Sequence, residues 1–330
     1  MNAKTTPSIL WENVRRQFYV KNPQFDSSET WFINIYNGIG DAFFILGFLD
    51  AFKKMHKPKF LGVVYRSSLE GLVNLYEGSF DFKLVVNQDF PADENFADTF
   101  RPNTLLCSSK RFIHNNDWGE MIWNNNIPIN EWYKYGLKLP MRAGFKKPTL
   151  KERDIKDLVK KWGIVRDKSV ILFPFPNYGP HWDIKIWETI AQNLIKLGYK
   201  VFTNCANSSF DKAMHINKNK VSENHIPIPG TESLNLTLDE CWSVAHYCGN
   251  VICAPGGISH VLVNLGIKVL VVQEFKEFDA GEINSTYAGI KWNALNTIGS
   301  IRICWPTNNN LLELMYDDLF FKKLEKFFKK

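Results

Sequence analysis

The chain has 330 residues, 45% of them hydrophobic and 22% charged, with a formal net charge of +6 from 40 basic and 34 acidic side chains. At roughly 150 residues per domain that length accommodates two compact domains, and the composition excludes disorder, collagen and a coiled coil. No run approaches ~18 consecutive apolar residues and the opening MNAKTTPSILWENVRRQF lacks the apolar core of a signal peptide, so the expected location is the cytoplasm. Cys107, Cys205, Cys241, Cys248, Cys253 and Cys304 form no CxxC pair, and reduced thiols with no zinc or disulfide role are expected of them.

Residues 1–29 are polar and mixed and read as an irregular lead-in. The run 31–36 (WFINIY) is a short strand, broken by Asn37-Gly38-Ile39-Gly40-Asp41 and followed by a helical pattern over 42–55. Strands at 60–65 and 82–86 flank a helix at 67–75, the spacing of parallel βαβ units. Residues 87–150 are the least regular, with one strand candidate at 104–107 and a basic linker over 136–150. A charged helix over 151–162 then opens a second series: strand 169–173, helix 185–197, strand 200–204, helix 238–247, strand 250–253, helix 259–265 and strand 268–272. The expected fold class is therefore α/β, with each half its own parallel sheet.

Three turns can carry chemistry. Asn37-Gly38-Ile39-Gly40-Asp41 joins a strand to a helix, where glycines permit close approach of a ligand and the helix start favours an anion. Asp41 is either a helix cap or a working carboxylate. The turn is not a dinucleotide fingerprint, because position 43 is Phe where GxGxxG needs a third glycine. The second turn, Ala254-Pro255-Gly256-Gly257-Ile258-Ser259-His260, can present backbone N–H groups and a hydroxyl to a phosphate, or form a tight corner with a packed His. The third, 173–182 (FPFPNYGPHW), is stiff and aromatic. It either lines a pocket, with Tyr178, His181 and Trp182 shaping it and Lys185 nearby as a cation, or packs as a corner.

Together the glycine turn ending in Asp41, the His181-Trp182 pair before a helix, and the Gly256-Gly257-x-Ser259-His260 turn resemble the heptosyltransferase-like glycosyltransferases of family 9, from about residue 32 to 272. That resemblance implies a GT-B fold, two Rossmann-like domains facing each other across a cleft. It implies an acceptor-binding domain over 1–150, with Asn37, Gly38 and Gly40 forming the acceptor-side turn, and a donor-binding domain over 151–310. It further implies that Asp41 is the general base on the acceptor hydroxyl and that Gly256, Gly257, Ser259 and His260 lie at the donor phosphates. The stretch Gly230 to Leu236 resembles the family's G-x-x-S-L segment and brings in Glu232 and Ser233 for a ribose or base. Family members commonly carry a Lys before the HW pair and an Asp before the glycine pair; here these are Pro180 and Pro255, so the family's donor is not carried over.

Residues 319–330 (LFFKKLEKFFKK) place apolar side chains on one helical face and lysines on the other, five lysines against one glutamate. Residues 311–330 are accordingly expected to form an amphipathic helix that packs back on the N-terminal domain or lies on an anionic membrane surface. The function expected is inverting transfer of a sugar from a nucleotide-sugar donor to a bacterial surface glycan or lipid-linked acceptor, without a metal, a cofactor or a nucleic-acid partner. The alternatives are a nucleotide-sugar epimerase or hydrolase on the same scaffold, and a catalytically silent carbohydrate-binding module.

Overall fold

A computed structural model of the chain describes residues 7–35, 38–86, 104–107, 133–134, 136–151, 154–175, 184–205, 226–254, 257–273, 311–315 and 319–328. It divides into two compact units, Met1–Lys147 and Pro148–Lys330.

The first unit begins with helix α1 (Pro7–Lys21), where the polar sequence gave no element. Its Phe18 is buried and explains the helix: the ring stacks on Phe82 at 4.6 Å and meets the edge of Phe32 at 5.5 Å, closing one face of a sheet. That sheet is four-stranded and wholly parallel, in the order β3 (Phe82–Val85), β2 (Phe60–Tyr65), β1 (Thr30–Ile35), β4 (Thr104–Cys107). Gly62 in β2 gives room to its neighbour, since a Cβ there would stand 2.1 Å from the Phe82 ring. The helical pattern after β1 resolves into α2 (Ile39–Gly47) and α3 (Leu49–His56), followed by short helical turns around α4 (Glu70–Val73).

From Ala42 to Gly47 every residue of α2 is buried, as expected of a helix that is apolar all round. Part of its cover comes from 136–147, the stretch anticipated as a linker. Leu137 and Leu139 are instead buried, the Lys146 N–H donates to the Gly47 carbonyl at 2.8 Å, and the Phe145 ring sits among Phe43, Phe44 and Phe48. Two leucines and a phenylalanine packed against an apolar helix outweigh Lys138 between them, which keeps its charge at the surface.

The second unit holds a six-stranded parallel sheet, β10 (Leu311–Met315), β9 (Lys268–Gln273), β8 (Asn250–Cys253), β5 (Ser169–Phe173), β6 (Lys200–Asn204), β7 (Glu232–Leu234), in that spatial order. Helix α5 (Lys156–Trp162) precedes it, and α6 (Ile184–Lys196), α7 (Leu238–Cys248) and α8 (Gly257–Val263) connect its strands. Strands β5 and β8 are buried at every position, the pattern of parallel strands covered on both faces. Helix α7 starts with a capping box, Thr237 accepting from the Glu240 N–H while the Glu240 carboxylate takes the Thr237 N–H.

The segment 311–330 departs from expectation twice. Residues 311–315 form strand β10, parallel to β9, and only Phe320–Phe328 form a helix, α9. Its face of Phe320, Leu324 and Phe328 lies not on the N-terminal unit but in the core of the second, with Val170, Trp187, Ile190 and Leu194, and the Tyr199 hydroxyl donates to the Phe328 carbonyl at 2.9 Å. Residues spaced by four make a single stripe, and burying each is worth about 1.5–3 kcal/mol. The apolar face is thus committed to protein, and Lys322, Lys323 and Lys326 are exposed. Among the described residues no helix is long and apolar enough to cross a membrane.

Candidate active site

In each sheet one strand order marks a preferred place for a ligand. In the first, the chain runs outward from β1 to β2 and β3 and then returns to β4 on the other side of β1, so the order reverses between β1 and β4. In the second, β5, β6 and β7 run one way and β8, β9 and β10 the other, so it reverses between β5 and β8. Parallel α/β sheets bind ligands beyond the carboxyl ends of the strands at such switch points. The glycine turn before Asp41 leaves from β1. The 173–182 segment leaves from β5 and the Ala254-to-His260 turn from β8. All three turns singled out by sequence therefore emerge at a switch point.

At the first, Asn37 lies outside the described residues. Gly38, in extended conformation, is the N-cap of α2 and contributes no side chain; Gly40 is in the first turn. Asp41 is not the cap but the third helical residue, the position from which a carboxylate reaches back to the cap N–H. It accepts a hydrogen bond from the Gly38 amide and a second, at Oδ1, from the Tyr133 hydroxyl. Burial dominates both: it raises the Asp41 pKa from 3.8 to about 6, against the lowering influence of the two donors. The outcome is a carboxylate ionised at neutral pH yet basic enough to take a proton.

Tyr133 was not anticipated. It is 1% exposed, and its ring lies parallel to Phe44 at 5.4 Å with 10° between the planes. Nothing local in the sequence marks it, since its contacts are with residues some ninety positions earlier.

At the second switch point β5 and β8 are neighbours, with Phe173 in register with Cys253 and the Ala254 N–H donating to the Phe173 carbonyl at 3.0 Å. Tyr178, His181, Trp182, Gly256, Pro180 and Pro255 lie outside the described residues. Gly257 opens α8, and Ser259 and His260 follow within it, 1% and 5% exposed. Burial lowers the His260 pKa from 6.5 to about 4, so the imidazole is neutral at pH 7 and brings no charge to an anion. Lys185 is exposed in the first turn of α6, the helix that follows β5.

Glu232 and Ser233 belong to the edge strand β7, two strands away from β8 and β5's junction on the β6 side. The Glu232 carboxylate is held by Lys200 at 3.0 Å, and Lys200 begins β6, at the sheet's amino end. Glu232 thus leans away from the carboxyl ends where a ligand would lie. Cys241, Cys248 and Cys253 are free and buried thiols, their ionisation suppressed by burial. Among the described residues no three His, Cys, Asp or Glu side chains gather as a metal site.

Neither a protein-family model nor a curated protein sequence matches the chain. Solved structures do. The E. coli ADP-heptose LPS heptosyltransferase II aligns at a TM-score of 0.60 and 10% identity, over 91% of this chain and 98% of that one. A family 9 glycosyl transferase from Veillonella parvula aligns at 0.52 and 12% identity, over 92% and 89%. The iron-containing heptosyltransferase TibC of enterotoxigenic E. coli, solved in complex with ADP-D-β-D-heptose, aligns at 0.50 and 15% identity, over 74% and 58%. At these identities the likeness is one of fold, and the chain has the α/β fold of the heptosyltransferases, as the order of its three turns implied.

Proposed function

We propose that this protein is an inverting glycosyltransferase that moves a sugar from a nucleotide-sugar donor to a hydroxyl of a bacterial surface glycan or its lipid-linked precursor. The observation that carries the reading is Asp41: a carboxylate at the switch point of the first sheet, its pKa raised to about 6, in a chain with the heptosyltransferase fold. In this reading Asp41 takes the proton of the acceptor hydroxyl as that oxygen attacks the anomeric carbon. The bond from the anomeric carbon to the diphosphate breaks on the opposite face, and its electron pair leaves with the nucleoside diphosphate.

The second unit binds the donor. Backbone N–H groups where β8 passes into α8, at Gly256 and Gly257, receive the diphosphate, and Ser259 supports that corner. His260 is neutral, so the positive charge falls to Lys185. The reaction is metal-independent in this reading, the acceptor is bound by the first unit, and the protein works on the cytoplasmic side of the membrane. Any contact with anionic lipid runs through Lys322, Lys323 and Lys326, because the apolar face of α9 is used in the core.

A thermal-shift screen with ADP, GDP, UDP and CMP, followed by the sugars of whichever nucleotide binds, identifies the donor class. Asp41→Asn is then expected to keep donor binding and lose transfer by at least about a hundredfold. Wild-type turnover in that variant rejects Asp41 as base. Conversion of the sugar nucleotide without any acceptor would instead identify an epimerase or hydrolase. Binding of glycans but of no nucleotide would identify a silent binding module.

A further inference from the structure

Resting on the reading of Asp41 as base, we propose that Tyr133 is the positioning residue that fixes the Asp41 carboxylate for proton transfer. Asp41 and Phe44 are three residues apart and share a face of α2, on which Phe48 continues the line. Tyr133 lies along this face, with its ring on Phe44 at 5.4 Å and its hydroxyl donating to Asp41 Oδ1. The next residue, Lys134, is 6% exposed; its Nζ donates to the Met141 carbonyl at 2.5 Å and stands 5.6 Å over the Phe48 ring. Two consecutive residues thus follow α2 for two turns, anchored at Asp41, Phe44 and Phe48.

The carboxyl group of an aspartate is free to turn about its last bond unless donors hold it. Here the Gly38 amide and the Tyr133 hydroxyl do so, one from the backbone of α2 and one from across the fold. Among the described residues Tyr133 is the titratable group in contact with the carboxylate. Lys134, the nearest cation along the chain, is directed to Met141. A donating hydroxyl favours the ionised form, so Tyr133 also keeps this half-buried carboxylate deprotonated at neutral pH.

Tyr133→Phe keeps the ring on Phe44 and removes the donor. The test follows the Asp41 carboxyl by NMR in the full-length chain labelled at aspartate Cγ, with the signal assigned by its absence from Asp41→Asn. Asp41 is expected to titrate near pH 6 in the wild type and about one unit higher in Tyr133→Phe. Phe44→Leu, which leaves the hydroxyl but removes its platform, is expected to shift the titration the same way by less. With an active donor and acceptor pair, the acid limb of kcat/KM moves upward together with the carboxyl. An unchanged Asp41 titration in both variants overturns the proposal, and Asp41→Asn remaining inactive then leaves the base reading intact. A shifted titration with a fully active Asp41→Asn rejects the base reading, and with it Tyr133's role in positioning a base.

Discussion

Asp41→Asn is expected to stabilise the first unit at neutral and alkaline pH while removing activity. Burial lifts the carboxyl from 3.8 to about 6, roughly two units, and at about 1.4 kcal/mol per unit this is about 3 kcal/mol. The sign follows from proton uptake. Between those two values the folded state binds the proton that the unfolded state has released, so this group's contribution is greatest below about pH 4 and is lost as pH rises through about 6. An uncharged amide of the same shape does not carry that penalty. Urea denaturation followed by circular dichroism measures it at about pH 8, 6 and 4.5, where the variant's advantage should be about 3 kcal/mol, then about 2.5, then about 1 kcal/mol, the remainder vanishing below about pH 3. A variant less stable than wild type at about pH 8, or an advantage that does not change with pH, would refute the argument that burial and not pairing governs this carboxyl.

His260 responds in the opposite sense. Its pKa falls from 6.5 to about 4, so the second unit is expected to lose about 3 kcal/mol as pH drops through that window, and His260→Gln should flatten the loss in the same urea series. Gly47→Ala sets a methyl 2.0 Å from the Phe145 ring and is expected to lower stability by about 1–3 kcal/mol; the penalty should shrink in a Phe145→Leu background, read by thermal melting. Removing 319–328 should abolish the cooperative melting of the second unit because it takes Phe320, Leu324 and Phe328 from the core. Reversing Lys322, Lys323 and Lys326 to Glu should leave melting unchanged, so only that triple variant tests lipid contact, through lost binding to vesicles of anionic lipid.

Most strands of the two sheets were legible because buried parallel strands are short unbroken apolar runs set off by turn residues, and 169–173, 250–253 and 268–272 need no partner to be recognised; β7 (232–234), short and polar, was not. The turns at Asp41 and Ser259 were legible for the same reason, as polar interruptions between such runs. Helix α1 was not, because its case rests on Phe18 finding Phe82, sixty-four positions away in β3. Strand β10 has little local signal and is completed by β9. In the site itself Asp41 could be singled out as a carboxylate, but its place as third helical residue rather than cap, and its pKa, depend on packing that no local pattern contains. Lys200's hold on Glu232 is of the same kind: register, not sequence proximity, brings them together.

The hydrogen bond between Tyr133 and Asp41 spans 92 residues, and β1 waits for β4 to complete its pairing. Local helices such as α2 can form as soon as they exist, but contacts of such separation close slowly. The first unit is therefore expected to bring Tyr133 to the Asp41 carboxylate late in folding, after its secondary structure. Refolding followed by helical signal should run ahead of the recovery of the group that titrates near pH 6, so a chain that already looks folded still has to become competent.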